Sequence, residues 1–402
     1  MSTGGLSVRR LSQMREVMAL HVESGEVTGL VTLVSRRGET HVDAVGMTSL
    51  SSQEPLRRDT IFRIASLTKP VAAVAAMILV EECKIRLDDP VDRFLPELAG
   101  RRVLKRLDGP LDETVPARRP ITLRDLLTLR MGFGYLMSAA AMEYPIVRAA
   151  TELELFLGAP QPQRWPAPDE WLARFASLPL MHQPGEVWMY DVAIDVLGVL
   201  IARVAGQPLE GFLQDRIFAP LGMKDTGFSV SAKHRSRMAT SYSTDPETGK
   251  LALYDDVTES QWAKPPAFPS AAGGLVSTVD DYFAFGQMML DKGALGHERI
   301  LSRPAVELMT ANQLTAEQRA AASLFLGEDA GWGMGMAVTV GRGDIMSVPG
   351  RFGWDGGLGT SWRTDPAERL VGLLFTQSAW TSPEPPAIWR DFWTSVYQAI
   401  DD

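Results

Sequence analysis

Apolar and polar positions fall into blocks of different period along this chain. Residues 1–25 place apolar side chains between Arg9, Arg10, Arg15, Glu16 and His21, the pattern of one amphipathic helix. Two β-branched runs, 30–35 and 40–45, flank Arg37-Gly38 and predict a β-hairpin. The run at 72–80 reads Ala-Ala-Val-Ala-Ala-Met-Ile-Leu-Val and predicts a buried helix that begins at or around Ser66. Helical patterning continues to about Ile217, most clearly at 122–127 and 191–204. Between these, residues 132–184 are rich in Pro, Trp and Met; the segment is too long for a plain connector and predicts a lid or pocket wall. Strand-like composition returns at 335–340, 360–364 and 370–376, before a closing helix at 388–400. Strands at both ends with helices between predict one sheet assembled from the two termini.

Composition narrows the class. The 402 residues are 45% hydrophobic and 22% charged, ordinary for a globular protein with a large core and two structural subdomains. Forty basic against forty-nine acidic residues give a net charge of −9, which argues against nucleic acid or an anionic membrane as partner. No stretch reaches the roughly 18–20 apolar residues of a membrane span, and the first 25 residues lack a signal-peptide core, so a cytoplasmic location is expected. Cys83 is the only cysteine; its place inside an apolar helix predicts a core position, and no internal disulfide can form. The five histidines are scattered, without His-Glu-x-x-His or a Cys/His cluster, so neither metal nor cofactor is expected. No Gly-x-Ser-x-Gly turn is present either.

Candidate chemistry begins at Ser66-Leu67-Thr68-Lys69. Residues three apart on a helix share a face, so the Ser66 hydroxyl and the Lys69 amine can meet. A serine is a poor nucleophile at neutral pH, and an amine forced neutral by burial would accept its proton. Alone, the tetrad equally fits a helix N-terminus with Ser66 as cap and Lys69 solvated. Tyr190 lies at a loop-to-helix junction where a neighbouring lysine would lower its pKa for acid/base work; packing with a local hydrogen bond is the other reading. The run from Arg351 to Ser361 contains Gly353, Gly356, Gly357 and Gly359, which suits either a turn or a strand edge against which a ligand lies closely. There the N–H groups of Gly357 and Ser66 would form an oxyanion hole. Trp165, Trp171, Trp188, Trp354 and Trp362 are expected near the cleft, with His182 as a further possible lining residue.

With those segments in hand, the chain resembles the serine β-lactamase and penicillin-binding-protein superfamily, and within it class C β-lactamases and family VIII carboxylesterases. The resemblance rests on Phe62-Arg63-Ile64-Ala65-Ser66-Leu67-Thr68-Lys69, Asp88-Asp89-Pro90-Val91, the segments at 121–128, 218–226 and 272–278, and Trp354-Asp355-Gly356. It leaves 132–184 and 310–328 unplaced. It implies an α+β fold: an antiparallel sheet flanked by helices, from residues 1–65 and 270–402, beside a mostly helical domain at 66–269, with the site between. By the same resemblance Ser66 is the nucleophile, Lys69 and Tyr190 share its proton, and Trp354, Asp355 and Gly356 line the substrate. Trp354 stands where most lactamases carry a carboxylate-binding lysine, and Tyr190-Asp191-Val192 lacks the asparagine of the class C triplet. Both departures imply a serine hydrolase of small-molecule carboxylic esters with weak or no β-lactamase activity. An acyltransferase, a D-amino-acid amidase or peptidase, and a non-catalytic ligand-binding sensor remain the alternatives.

Overall fold

The computed structural model describes residues 4–136, 138–156, 158–245 and 247–402. Its first helix, α1 (Val8–Glu23), turns Leu11, Met14 and Met18 inward and leads into the expected hairpin of β1 (Gly29–Arg36) and β2 (Glu39–Gly46). After the hairpin comes α2 (Thr68–Glu81), in which every residue from Thr68 to Leu79 is buried. A helix apolar on all sides must be enclosed on all sides; here α3 (Ala193–Ala205), itself buried from Ala193 to Ile201, packs beside it. The amphipathic α4 (Val279–Leu290) follows, and then the strands β3 (Ala330–Trp332), β4 (Ala337–Thr339), β5 (Phe352–Gly356), β6 (Thr360–Asp365) and β7 (Leu370–Thr376). The chain closes with α5 (Ala387–Gln398).

Seven strands form one antiparallel sheet in the order β3-β4-β5-β6-β7-β1-β2, so the last long strand pairs with the first, Leu33 opposite Leu373. Such a sheet has two apolar faces, and each is covered. On one face, Leu30, Val34, Leu370 and Leu374 pack under α1 and α5 through Met14, Met18, Phe392 and Trp393. On the other, Tyr282 and Phe285 of α4 meet Trp362 edge-on, both at 5.6 Å. Only its first residues pair β5 with β4, at Phe352 and Gly353. From Trp354 to Gly356 one edge of β5 therefore faces the helices without a strand beside it, and that edge forms one side of the groove described below.

Two expectations need correction. Helix α2 stops at Glu81, and Cys83 takes a left-handed conformation (φ 56°) while Lys84 N–H closes back on the Leu79 carbonyl at 3.0 Å, so Cys83 is exposed and not core. Trp171 and Trp362 are fully buried in packed core, away from the groove. Among the described residues no single helix is long and apolar enough to cross a membrane.

Candidate active site

Ser66 sits on a single 3₁₀ turn, Ala65–Leu67, that feeds into α2. Hydrogen bonds hold this turn from several directions. Ile64 N–H donates to the Leu275 carbonyl at 3.0 Å, Thr68 Oγ1 to the Ala65 carbonyl at 2.6 Å, and the Tyr282 hydroxyl to the Leu67 carbonyl at 2.7 Å. Ala65 is thereby kept at φ 44°, a left-handed conformation that costs a residue with a Cβ roughly 1–2 kcal/mol. Pro70, a poor residue for a helix interior, falls in the first turn of α2, where its missing N–H has no partner to lose.

One turn further, Lys69 is fully buried. Its Nζ donates to Ser66 Oγ at 2.8 Å and to the Ala272 carbonyl at 2.7 Å, and it lies in ion-pair contact with the Asp191 carboxylate. Two of the three ammonium protons are thus hydrogen-bonded, and the Asp191 carboxylate meets the charge as an ion pair. Burial pushes the Lys69 pKa down, but the charge of Asp191 and the interaction with Tyr190 outweigh it, and the net shift is upward. The expectation of an amine made neutral by burial is therefore corrected, and Asp191 is the residue that reverses it.

Tyr190 is held through its backbone: the Tyr135 N–H donates to its carbonyl, and Gly134 is required beside it because a Cβ there would run into the same oxygen. The ring lies over Lys69 Nζ, 4.4 Å from its centroid, and against Phe325 at 4.6 Å. The phenol oxygen accepts the indole N–H of Trp354 at 2.9 Å. Burial raises the Tyr190 pKa more than Lys69 lowers it, so the resting group is a neutral phenol and not the acidified one expected.

The glycines of β5 have separate reasons. A Cβ on Gly356 would collide with the Ile64 carbonyl, so glycine lets the strand edge lie against the Ser66 turn, where Thr360 Oγ1 also donates to Ile64 O at 3.1 Å. Gly357 meets nothing and borders the open groove beside Ser66. Neighbouring strand positions face opposite sides, so Trp354 turns to Tyr190 while Asp355 turns to Arg363, at 2.6 and 2.9 Å, and to the Trp389 indole at 2.9 Å. The Asp355 carboxylate thus has protein partners, and Asp355 also borders the large groove described next.

A groove of about 770 Å³ runs from Ser66 past Tyr190 and Trp354 to Phe325 and Trp389. A smaller lobe of about 230 Å³ opens from Ser66 toward Asp191, Trp165 and Gly273. Tyr135 and Trp380 border both, and residues 158–162 wall the smaller lobe. The segment 323–329, all but its last residue unplaced by resemblance, forms the far bank of the large groove. His182 borders neither lobe.

Sequence reasoning missed Asp191, Asp195, Phe325, Trp380 and Trp389. Asp195 lies fully buried in α3, where its carboxylate accepts from Ser270 Oγ at 2.7 Å and from Ala272 N–H at 3.1 Å, fixing the carbonyl that Lys69 donates to. Burial and the nearby Asp191 charge push its pKa up to about 7. A signal was present: two aspartates in the otherwise apolar stretch Tyr190-Asp191-Val192-Ala193-Ile194-Asp195-Val196 require partners once buried.

Comparison with known proteins finds relatives of this chain in sequence and in fold. Residues 14–391 match the sequence profile described as Beta-lactamase. An uncharacterized protein of Mycobacterium tuberculosis is 41% identical, over 88% of this chain and 87% of its own. Esterase EstB of Burkholderia gladioli is 31% identical, over 90% and 88%. Among solved structures, EstCE1, a hydrolase with promiscuous acyltransferase activity, superposes with a TM-score of 0.77 at 25% identity, covering 97% of this chain and 99% of that one.

Proposed function

We propose, for a chain that belongs to the Beta-lactamase family and is an enzyme of the serine-hydrolase type, that it cleaves small-molecule carboxylic esters through an acyl-enzyme on Ser66. The observation that carries this reading is the contact of Ser66 Oγ with a buried lysine at 2.8 Å, where two lobes of a groove meet. In acylation Ser66 attacks the ester carbonyl and its proton leaves through the Lys69/Tyr190 pair, which rests protonated on both members and so hands one proton on as it takes this one. The N–H groups of Ser66 and Gly357 receive the oxyanion; losing one such donor costs about 3–4 kcal/mol of transition-state stabilisation. Tyr190 then protonates the departing alkoxide, and water releases the acyl group.

Ester over β-lactam is favoured by two features of the groove. Trp354 offers no cation to a substrate carboxylate, and its N–H is already engaged by Tyr190. Val192 is buried, so no side chain at the third position of the Tyr190 triplet reaches an acylamide. Acyl transfer to a second alcohol is the alternative within this reading, supported by the likeness to EstCE1. A cytoplasmic location remains part of the proposal, supported by the exposed free thiol of Cys83, which an oxidising compartment would leave open to modification.

The test is a panel of p-nitrophenyl esters from acetate to decanoate, run beside nitrocefin and repeated with a competing alcohol. Turnover of esters with nitrocefin at least a hundredfold slower is expected. Acyl-alcohol product far above the molar share of the alcohol identifies transfer, and no turnover of any ester rejects the reading.

A further inference from the structure

The groove contains a carboxylate that the ester mechanism above leaves unused. Asp191 follows Tyr190 directly, so the loop that delivers the phenol also delivers this side chain. Its Oδ1 lies in ion-pair contact with Lys69 Nζ, while its side chain keeps 19% exposure and borders the smaller lobe together with Ser66. Two protons of Lys69 are held by Ser66 Oγ and the Ala272 carbonyl. A lysine kept protonated has no lone pair with which to accept a proton from serine. Either the proton leaves by another route, or Lys69 first passes one on.

We propose that Asp191 is a positioning and proton-holding residue for acylation, acting on Ser66 through Lys69. As the Ser66 Oγ–H bond breaks and the Oγ–carbonyl carbon bond forms, Lys69 takes the serine proton and gives one of its own to Asp191 Oδ1. Lys69 is an ammonium before and after, and Asp191 becomes the carboxylic acid. When the tetrahedral intermediate collapses, the proton returns from Asp191 to Lys69 and onward through Tyr190 to the departing alkoxide. No external acid or base enters, and charge is conserved at each step. The groups facing Asp191 come from three parts of the chain. Lys69 from α2 is the charged partner, Tyr190 and Tyr135 are neutral phenols, and Asp195 lies one helical turn on, tied to Ser270 and Ala272. A proton on Asp191 also removes a negative charge beside Asp195, which lowers the cost of the transfer.

The inference rests on the ester-hydrolase reading, and Asp191→Asn separates the two. The amide keeps the shape and cannot hold the proton, so kcat at pH 7 is expected to fall about a hundredfold with KM changed less than threefold. Lys69 can then act only after losing a proton to solvent, so kcat/KM of the variant climbs about tenfold per pH unit through the alkaline range, where the parent is flat. Asp191→Glu, which restores a carboxylate, recovers at least a tenth of the parent rate and its flat profile. Should Asp191→Asn not fold, as judged by circular dichroism, Asp191→Ser gives the same readout with less demand on packing. A variant without the carboxylate that is as fast as the parent or faster at pH 7, with an unshifted profile, overturns the proton-holding role and leaves the esterase reading intact. Absence of ester turnover in the parent chain is the separate result that rejects the esterase reading.

Discussion

The two banks of the groove are built on opposite principles. On the Ser66 side polar groups are held by the protein: Lys69 is fully buried with two hydrogen bonds and one ion pair, and Ala65 is kept in a strained conformation by its neighbours. On the far bank, residues 323–329 form a short helical turn and a loop, with Leu324 exposed at 63% and Phe325 leaning on Tyr190 and Trp354 through ring contacts alone. Rings slide at little cost, whereas a buried network of hydrogen bonds and ion pairs has few arrangements. The contrast teaches that the clamped bank sets the chemistry and the apolar bank selects what is brought to it.

Substitutions on the two banks put that division to the test, and the largest effect belongs on the clamped side. Lys69→Ala leaves Ser66 without its nitrogen partner, and kcat with p-nitrophenyl butyrate is expected to fall at least a thousandfold; retention of more than about a tenth of the rate removes lysine from proton transfer. Trp354→Phe keeps a ring and deletes only the N–H donated to Tyr190, so steady-state kinetics should show a fivefold to tenfold loss in kcat, in line with about 1 kcal/mol for one hydrogen bond. Phe325→Ala belongs to the selecting bank: KM for a bulky ester is expected to rise severalfold while kcat stays within about threefold. A kcat loss as large as that of Lys69→Ala would abolish the distinction between the banks.

The smallest effect is on stability. Asp195 titrates at about 7 in the folded chain against 3.8 for the free side chain, so the folded state holds more protons than the unfolded one between those values. Stability therefore declines as pH rises through that window, and the cost of burying the charge is complete only above it. Asp195→Asn removes the cost while its amide oxygen still accepts from Ser270 and Ala272. Its Tm relative to the parent should thus grow by a few degrees between pH 4 and pH 8, read by thermal unfolding. A gap that shrinks over the same range contradicts the assignment.

How much of this was legible depends on whether the information was local. The i, i+3 spacing of Ser66 and Lys69 and the alternation in the terminal strands are local, and the hairpin, the long helices and the sheet joining the two ends follow from them. Charge states are not local. Lys69 reads as neutral until Asp191 is beside it, and sequence reading weighed the triplet at its third residue, Val192, which is buried, and passed over the second, which makes the contact. Tryptophan placement is likewise tertiary: Trp362 and Trp354 face each other across one register step, yet Trp362 is sealed under α4 while Trp354 reaches Tyr190. Cys83 was misread because an apolar run does not show where a helix ends. The stop is set by a left-handed residue just past Glu82, and that conformation leaves no mark in hydropathy.

The most direct test of the central claim is covalent. Intact protein is mixed with a p-nitrophenyl phosphonate, the mass gain is measured, and the modified peptide is sequenced by tandem mass spectrometry. The account predicts one adduct per chain, on Ser66, with loss of ester turnover in proportion and no adduct on Ser66→Ala. An adduct on another residue that abolishes turnover, or ester hydrolysis undiminished in Ser66→Ala, would contradict it.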